Sequence, residues 1–169
     1  MVKKVGLRLA WVYVSLFLSS FITGLFFGEA GSISINPQSL SWSTFFYNNV
    51  LVGLNFVWSG WLTFGIWPAL LIIGNGFMIG NHLHVIFYTY GFSGIATGIL
   101  PHAFFELCGL GAFAVCGFVP CYLVIYFFQR RKLVSFKLIL TFLTNYLIFG
   151  VLFLFIASLI EGGVSFVKC

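Results

Sequence analysis

Charged residues are almost absent from the middle of this chain, and this absence limits its fold more than any other feature. Only Glu29 and Glu106 carry charge between Arg8 and Arg130. Charged residues make up 7% of the sequence, whereas a soluble globular domain has about 25%. A chain with so few charged residues cannot cover a surface that faces water. Its surface must therefore face lipid. We predict one all-α transmembrane domain over residues 1–169, a multi-pass helical bundle.

Apolar segments of about 20 residues, the length that spans a bilayer, are separated by polar or helix-breaking residues. The polar loop Glu29–Thr44 follows the first segment, Gly65 and Pro68 separate the next two, and Gly91 and Gly94 end the third. Ile95–Phe128 is too long for one span, so we divide it at Pro101 into a short broken or re-entrant segment and a main helix. About five spans result, and they are predicted as Leu9–Gly28, Phe45–Phe64, Ala69–Tyr90, the main helix that ends at Phe128, and Leu138–Ile160.

Basic residues form two clusters that indicate topology. Their members are Lys3, Lys4 and Arg8 in the first, and Arg130, Arg131, Lys132 and Lys137 in the second. Positively charged loops stay in the cytoplasm, so the N-terminus is predicted inside, and Lys168 and Cys169 are predicted outside. We interpret the first span as a retained anchor rather than a signal peptide. The chain is expected in the cytoplasmic membrane, surrounded by membrane lipids, and no nucleic-acid motif accompanies the basic clusters.

The sequence contains no recognisable catalytic or metal-binding motif. It has no Asp, no CxxC, no HExxH and no P-loop. Cys108, Cys116 and Cys121 lie in apolar surroundings, where a thiol behaves as a small hydrophobic side chain. No metal and no cofactor are predicted, and a non-enzymatic role is preferred.

Polar side chains at bilayer depth are costly, which makes them functional candidates. Asn48 and Asn49 stand where the second span begins, and they either cap that helix or contribute to a site. In the third span Asn75 and His82 are seven residues apart and share one helical face, whereas His84 points nearly opposite to His82. These side chains either join helices by hydrogen bonds or line a site.

Glycines four residues apart predict close helix packing in lipid. Gly76 and Gly80 stand beside the polar residues of the third span, so we expect them to form a packed interface. Gly24 is expected to face lipid or a loose contact.

His102 and Glu106, which follow Pro101, are the strongest polar pair. They are four residues apart, so they are neighbours on one helical face. Glu106 is interpreted as the only carboxylate within an apolar segment, so it must be protonated, paired or reached by water. The pair either fixes helix packing or handles a proton, a metal or a substrate.

In their order and spacing, these residues resemble the stage II sporulation protein M family, also called the domain-of-unknown-function 95 family. The resemblance covers about Phe45 to Gly117. It rests on a paired-Asn helix start, an Asn-Gly-x-x-x-Gly helix and a Leu-Pro-His followed by Glu; the matching residues are Asn48, Asn49, Gly60, Gly65, Pro68, Asn75, Gly76, Gly80, Gly91, Leu100, Pro101, His102 and Glu106. The chain departs from the family at Ala103, where many members have Gly, and His82 and His84 lie outside the family pattern.

The resemblance implies a membrane subunit rather than one defined activity. Sporulation members hold two peptidoglycan hydrolases at the membrane in the engulfment complex. Short members occur beside circular-bacteriocin precursors, and others accompany transporter-like genes. The resemblance therefore implies peptidoglycan hydrolases, a hydrophobic peptide precursor or an ATPase subunit as protein partners, and it leaves a homo-oligomer open.

We therefore expect a non-enzymatic integral membrane subunit that scaffolds or assists a complex in cell-envelope remodelling or in bacteriocin maturation, export or immunity. One alternative is an intramembrane peptidase or transpeptidase that uses His102 and Glu106. Another is a permease-like subunit with a polar pathway. The residues assigned to the polar cluster are Asn48, Asn49, Asn75, Gly76, Gly80, His82, Pro101, His102 and Glu106.

Overall fold

The computed structural model describes residues 2–27 and 41–164, and these residues form α-helices joined by short connections. The helices are α1 (Val2–Phe27), α2 (Trp42–Thr63), α3 (Ile66–Gly98), α4 (Leu100–Arg130) and α5 (Phe136–Val164). The predicted polar loop lies mostly outside the described residues, as do Gly28, Lys168 and Cys169. The prediction of an all-helical, multi-pass bundle is confirmed.

Four of these helices are long and apolar enough to cross a membrane, and they contain the segments Lys4–Phe27, Ile66–Thr89, Leu100–Arg130 and Phe136–Gly163. The 22-residue α2 carries no charged residue. It contains three asparagines, Asn48, Asn49 and Asn55, and it is not one of the four candidate spans. The chain is therefore a membrane protein with at least four helices that could cross the bilayer.

Contacts between helices fix their directions. α1 and α3 are parallel, because Ser20 faces Gly76 and Leu25 faces His84 further along both helices. A left-handed pair of residues, Phe64 (φ 52°) and Gly65 (φ 86°), reverses the chain between α2 and α3. α2 is therefore antiparallel to its neighbour, as a helical hairpin requires.

α4 is antiparallel to α1, because Val5 lines a pocket with Val119 and Leu123, whereas Tyr13, further along α1, donates a hydrogen bond to the carbonyl of Leu107, near the start of α4, at 3.1 Å. α5 returns along α4 after the connection at residues 131–135. Successive helices therefore alternate in direction, which is the arrangement expected if the chain crosses the bundle five times.

The two basic clusters lie at the same end of the bundle, which we call the basic end. Val5 of α1, Leu123 of α4, and Val134 and Leu138 around the start of α5 line one small pocket there. The opposite end, the acidic end, holds the first turns of α4 and the last turns of α5.

α4 is the central helix. Its residues from Gly109 to Pro120 are buried except for the half-buried Gly111, and Phe113, 1% exposed, packs on Gly53 of α2 and Gly150 of α5. Gly60 and Gly117 bring α2 and α4 into backbone contact. The core therefore forms around α4, with α2 and α5 beside it and the α1–α3 pair on another side.

Several helix boundaries differ from the sequence prediction. α2 begins at Trp42, so Asn48 and Asn49 lie two turns inside the helix and neither caps it; the capping interpretation is wrong. α5 continues to Val164, so Glu161 lies within this membrane-length helix. Glu106 is therefore not the only carboxylate on such a helix.

The predicted break before the fourth helix is present. α3 is kinked at Gly91, whose φ of 66° and ψ of −166° belong to a region that only glycine adopts readily. After the kink, Ile95 lines a pocket with Leu25 of α1 and Phe87 of α3. A new helix begins at Leu100 with Pro101 in its first turn, where a missing N–H leaves no hydrogen bond unmade.

A glycine seam joins α1 to α3, and we define it by Gly24, Gly76 and Gly80. A Cβ added at Gly76 would lie 2.8 Å from the Phe17 carbonyl oxygen, and one added at Gly80 would lie 2.9 Å from the Leu25 nitrogen. Gly24 is equally close to α3, 3.0 Å from the Asn81 nitrogen by the same measure. The expectation that Gly24 faces lipid or a loose contact is therefore wrong.

Candidate functional site

A cavity of about 210 Å³ lies between α1, α2, α3 and α4, and we call it the polar cavity. Among its lining residues are Asn49, Asn75, His82 and Glu106, which the sequence singled out separately. The structure therefore brings four of the predicted site residues together, from three different helices.

Helical periodicity explains why these side chains meet. On α3, Ile72, Asn75, Ile79 and His82 are spaced by three or four residues, so they form one stripe along the helix. His84 lies off this stripe and donates from Nδ1 to the Leu25 carbonyl of α1 at 2.8 Å. The two histidines thus diverge as the sequence predicts.

The other walls follow the same rule. α2 contributes Asn49, Val52 and Phe56, and α1 contributes Tyr13 and Phe17, again at spacings of three or four residues. Each helix turns a single stripe to the cavity. A polar residue therefore reaches the cavity only if it falls on that stripe.

The polar cavity is closed on one side and open on another. Phe56 and Ile72, each 1% exposed, lie nearer to the Gly65 turn than Asn49 and Asn75 do, so they close the cavity towards the basic end. Val52 and Met78 are 38% and 56% exposed. The cavity therefore reaches the bundle surface between α2 and α3.

The polar side chains in this cavity are not satisfied by the residues that the structure describes. In the described ranges, no hydrogen bond or ion pair is made by Asn49, Asn75, His82 or Glu106. Polar groups at membrane depth normally pair within the bundle or face water, and an unpaired one is costly. What satisfies them must therefore come from outside these residues, as water, an ion or another molecule.

Glu106 lies near a second carboxyl group and away from the described Lys and Arg residues. It interacts electrostatically with Tyr13 and with Glu161 of α5. The described Lys and Arg residues lie at the basic end, away from it. A second carboxylate nearby increases the need for a positive or proton-donating partner.

His102 does not join Glu106 in the cavity lining. Its Nδ1 is buried and has no hydrogen-bond partner, and within residues 2–27 and 41–164 no ion pair links the two side chains. The spacing of four places them on neighbouring positions, but only Glu106 faces the cavity. Their joint role stays a prediction.

The remaining predicted residues occupy other positions. Asn48 is exposed, although its neighbour Asn49 lines the cavity. Gly76 and Gly80 belong to the glycine seam on a different side of α3, and Pro101 lies in the first turn of α4. These three residues shape the helices that carry the site without lining it.

Tyr13 is a residue that sequence reasoning missed. It is 8% exposed, lines the polar cavity and ties α1 to α4 through its hydroxyl. A tyrosine in the middle of an apolar helix was the available signal, because its hydroxyl needs a partner at that depth.

Metal binding finds little support in this arrangement. The described residues contain no group of three or more His, Cys, Asp or Glu side chains placed to hold a metal ion. Cys108, Cys116 and Cys121 are free thiols, and Cys116 is fully buried in the core around α4.

Comparison with known proteins identifies the family. The family model of stage II sporulation protein M matches residues 5–166, which is nearly the whole chain and includes every helix of the polar cavity. Among curated proteins and solved structures, none matches significantly. The chain belongs to the stage II sporulation protein M family.

Proposed function

We propose that this chain is a non-enzymatic membrane subunit that scaffolds or assists a multi-protein complex of the cell envelope. The observation that carries this proposal is the polar cavity, whose side chains have no partner in the described chain and which opens between α2 and α3. A subunit that binds a partner inside the bilayer needs such unsatisfied groups on an accessible face.

The partners consistent with the family are peptidoglycan hydrolases, a hydrophobic peptide precursor or a transport ATPase subunit. The corresponding roles are envelope remodelling, or maturation, export or immunity for a bacteriocin. Each partner would approach through the bilayer or at its surface, because the connections from α2 to α5 are short.

The orientation that we propose has the N-terminus in the cytoplasm and Cys169 outside. It is supported by the placement of both basic clusters at one end, since positively charged ends stay inside. The acidic end and the mouth of the polar cavity then belong to the outer half of the bilayer.

Cysteine labelling tests this orientation. In a variant with Cys108, Cys116 and Cys121 changed to Ala, an impermeant thiol reagent should label Cys169 in intact cells. A matched variant that also carries Cys169→Ala and Lys132→Cys should be labelled only after lysis. The reverse pattern would overturn the orientation.

A permease-like role is the second candidate. It is favoured by the polar side chains of Asn75, His82 and Glu106, which line one cavity. Phe56 and Ile72, however, close the cavity towards the basic end, so the cavity is not a continuous path. An enzyme that uses His102 and Glu106 is less well supported, because Glu106 lines the polar cavity and His102 is not among its lining residues.

Neighbouring asparagines provide a matched test of the subunit proposal. Asn49→Leu removes a polar group from the cavity, whereas Asn48→Leu makes the same change on an exposed position of the same helix. Both variants and the parent chain are purified in mild detergent at equal folded yield, and bound proteins are identified by mass spectrometry. Loss of partners only from Asn49→Leu supports the proposal; identical partner sets from all three chains contradict it.

A further inference from the structure

The charges of the bundle are separated along its length. The Lys and Arg residues in the described ranges lie at the basic end, whereas Glu106 and Glu161 lie towards the acidic end. Glu106 stands six residues after the start of α4, about 9 Å along the helix at 1.5 Å per residue. A partner that reaches this depth meets the carboxyl groups of Glu106 and Glu161, and the described Lys and Arg residues lie at the other end.

Hydrogen-bond chemistry narrows the partner further. Around the cavity, Glu106 offers a carboxylate, Asn49 and Asn75 offer amide oxygens, and His82 offers a ring nitrogen in its neutral form. A lysine ammonium carries three donors and no acceptor, so it complements this set of acceptors.

The size and apolar walls of the cavity also fit a lysine side chain. A water molecule takes about 30 Å³ of liquid volume, so 210 Å³ far exceeds what a bare ion needs. Phe17, Val52, Met78 and Ile79 supply apolar lining, which suits a flexible four-carbon stem that ends in a point charge.

We infer that the polar cavity binds a lysine side chain carried by a transmembrane segment of a partner protein, with its ammonium on Glu106, Asn49 and Asn75. The segment lies along the opening between α2 and α3, beside the exposed Val52 and Met78. An unpaired lysine and an unpaired glutamate are each costly in lipid, and their meeting removes both costs. This inference rests on the proposed function, since it names the chemistry of the partner.

A synthetic transmembrane peptide can take the place of the partner and test the inference. The probe is a Leu/Ala peptide of about 20 residues with one Lys about 9 Å below its outer end, and its control has Gln at that position. The full-length chain is reconstituted in phosphatidylcholine vesicles, and binding is measured by energy transfer between labelled chain and labelled peptide. We expect the Lys peptide to bind at least about tenfold more tightly than the Gln peptide, a difference of about 1.4 kcal/mol.

Two carboxylate variants make the test specific. Glu106→Gln should abolish the preference for the Lys peptide, whereas Glu161→Gln, which removes a nearby carboxylate outside the cavity lining, should retain it. Equal binding of the two peptides by the parent chain, or a preference that survives Glu106→Gln, would overturn the inference.

Control experiments with a free amine and with an amine-containing lipid test whether the ammonium group comes from a partner lysine or from another source. Millimolar n-butylammonium should compete only weakly with the Lys peptide, since it lacks a helix to pack on the bundle. If phosphatidylethanolamine in the vesicles removes the Lys preference, the cavity takes a lipid headgroup and the assignment to a partner lysine fails. If the Lys peptide fails while Asn49→Leu still loses its partners, the subunit proposal stands and the lysine assignment alone is wrong.

Discussion

Two faces of α3 differ in how closely they are packed, although their residues lie side by side in the sequence. One face carries Gly76 and Gly80, which bring its backbone against α1 within the glycine seam. The other carries Asn75 and His82, which border a cavity of about 210 Å³. One face leaves no room for a methyl group, and the other leaves room for a side chain from another molecule.

This difference separates the part of α3 that holds the bundle together from the part available for binding. Lipid tails are as apolar as leucine, so helices in a membrane associate through close packing and interhelical hydrogen bonds. The seam provides both, through backbone contacts and the bond from His84 to Leu25. The cavity face provides neither, so its polar residues are not explained by stability.

The largest expected effect comes from filling the seam. Gly80→Leu forces a large side chain against the Phe21 carbonyl and the Leu25 nitrogen of α1, and we expect almost no folded protein. Gly74→Leu is the matched control, because a Cβ at that position has no atom within 4 Å. Monodisperse protein after size-exclusion chromatography measures the result, and equal recovery of both variants would show that the seam is not close-packed.

A single methyl group added to the glycine seam at Gly24 of α1 should destabilise the fold less. Gly24→Ala places its Cβ 2.9 Å from the Phe77 carbonyl carbon, and such overpacking costs about 1–3 kcal/mol. The midpoint of thermal unfolding in detergent should fall by several degrees. A midpoint unchanged from that of the parent chain would restore the interpretation of Gly24 as lipid-facing.

Much of the architecture could be predicted from the sequence, because apolar length and helix-breaking residues are local signals. Gly91 and Pro101 mark the break between α3 and α4, and the spacing of Asn75 and His82 places them on one face. All of these depend on a single helix and its own periodicity.

Which faces meet could not be predicted, because that depends on several helices at once. The sequence interpretation separated Gly24 from Gly80, yet both lie in the glycine seam. Asn48 and Asn49 look alike in the sequence, yet only Asn49 lines the cavity. α4 and α5 have comparable apolar character, but 67% of an apolar 18-residue stretch of α4 is buried and only 17% of the corresponding stretch of α5. In a membrane protein, hydropathy alone therefore does not predict which helix lies at the centre of the bundle, because lipid-facing and buried helices are both apolar.

Removing a polar group from the cavity face should separate stability from function. Asn75→Leu replaces an amide that makes no hydrogen bond to residues 2–27 or 41–164 by an apolar side chain of similar size, next to available space. We expect the thermal midpoint to stay equal or rise by the equivalent of about 1 kcal/mol, while partner capture is lost. A large fall in the midpoint would show that Asn75 holds helices together, as the simpler sequence interpretation has it.

The smallest expected effect concerns the coupling between His102 and Glu106. A structural pair predicts that the double change to Ala is less damaging than the sum of the single changes, because neither group is left orphaned. The structure gives these side chains different surroundings, since Glu106 faces the polar cavity and the His102 Nδ1 is buried without a partner. We therefore expect the destabilising effects of His102→Ala and Glu106→Ala to be nearly additive, with an interaction energy below about 0.5 kcal/mol.

Unfolding of the parent chain, the two single variants and the double variant measures this interaction energy. A coupling of about 1 kcal/mol or more would support a structural pair. If the two changes are additive and only Glu106→Ala loses partner binding, then partner binding depends on the Glu106 carboxylate and not on the His102–Glu106 pair.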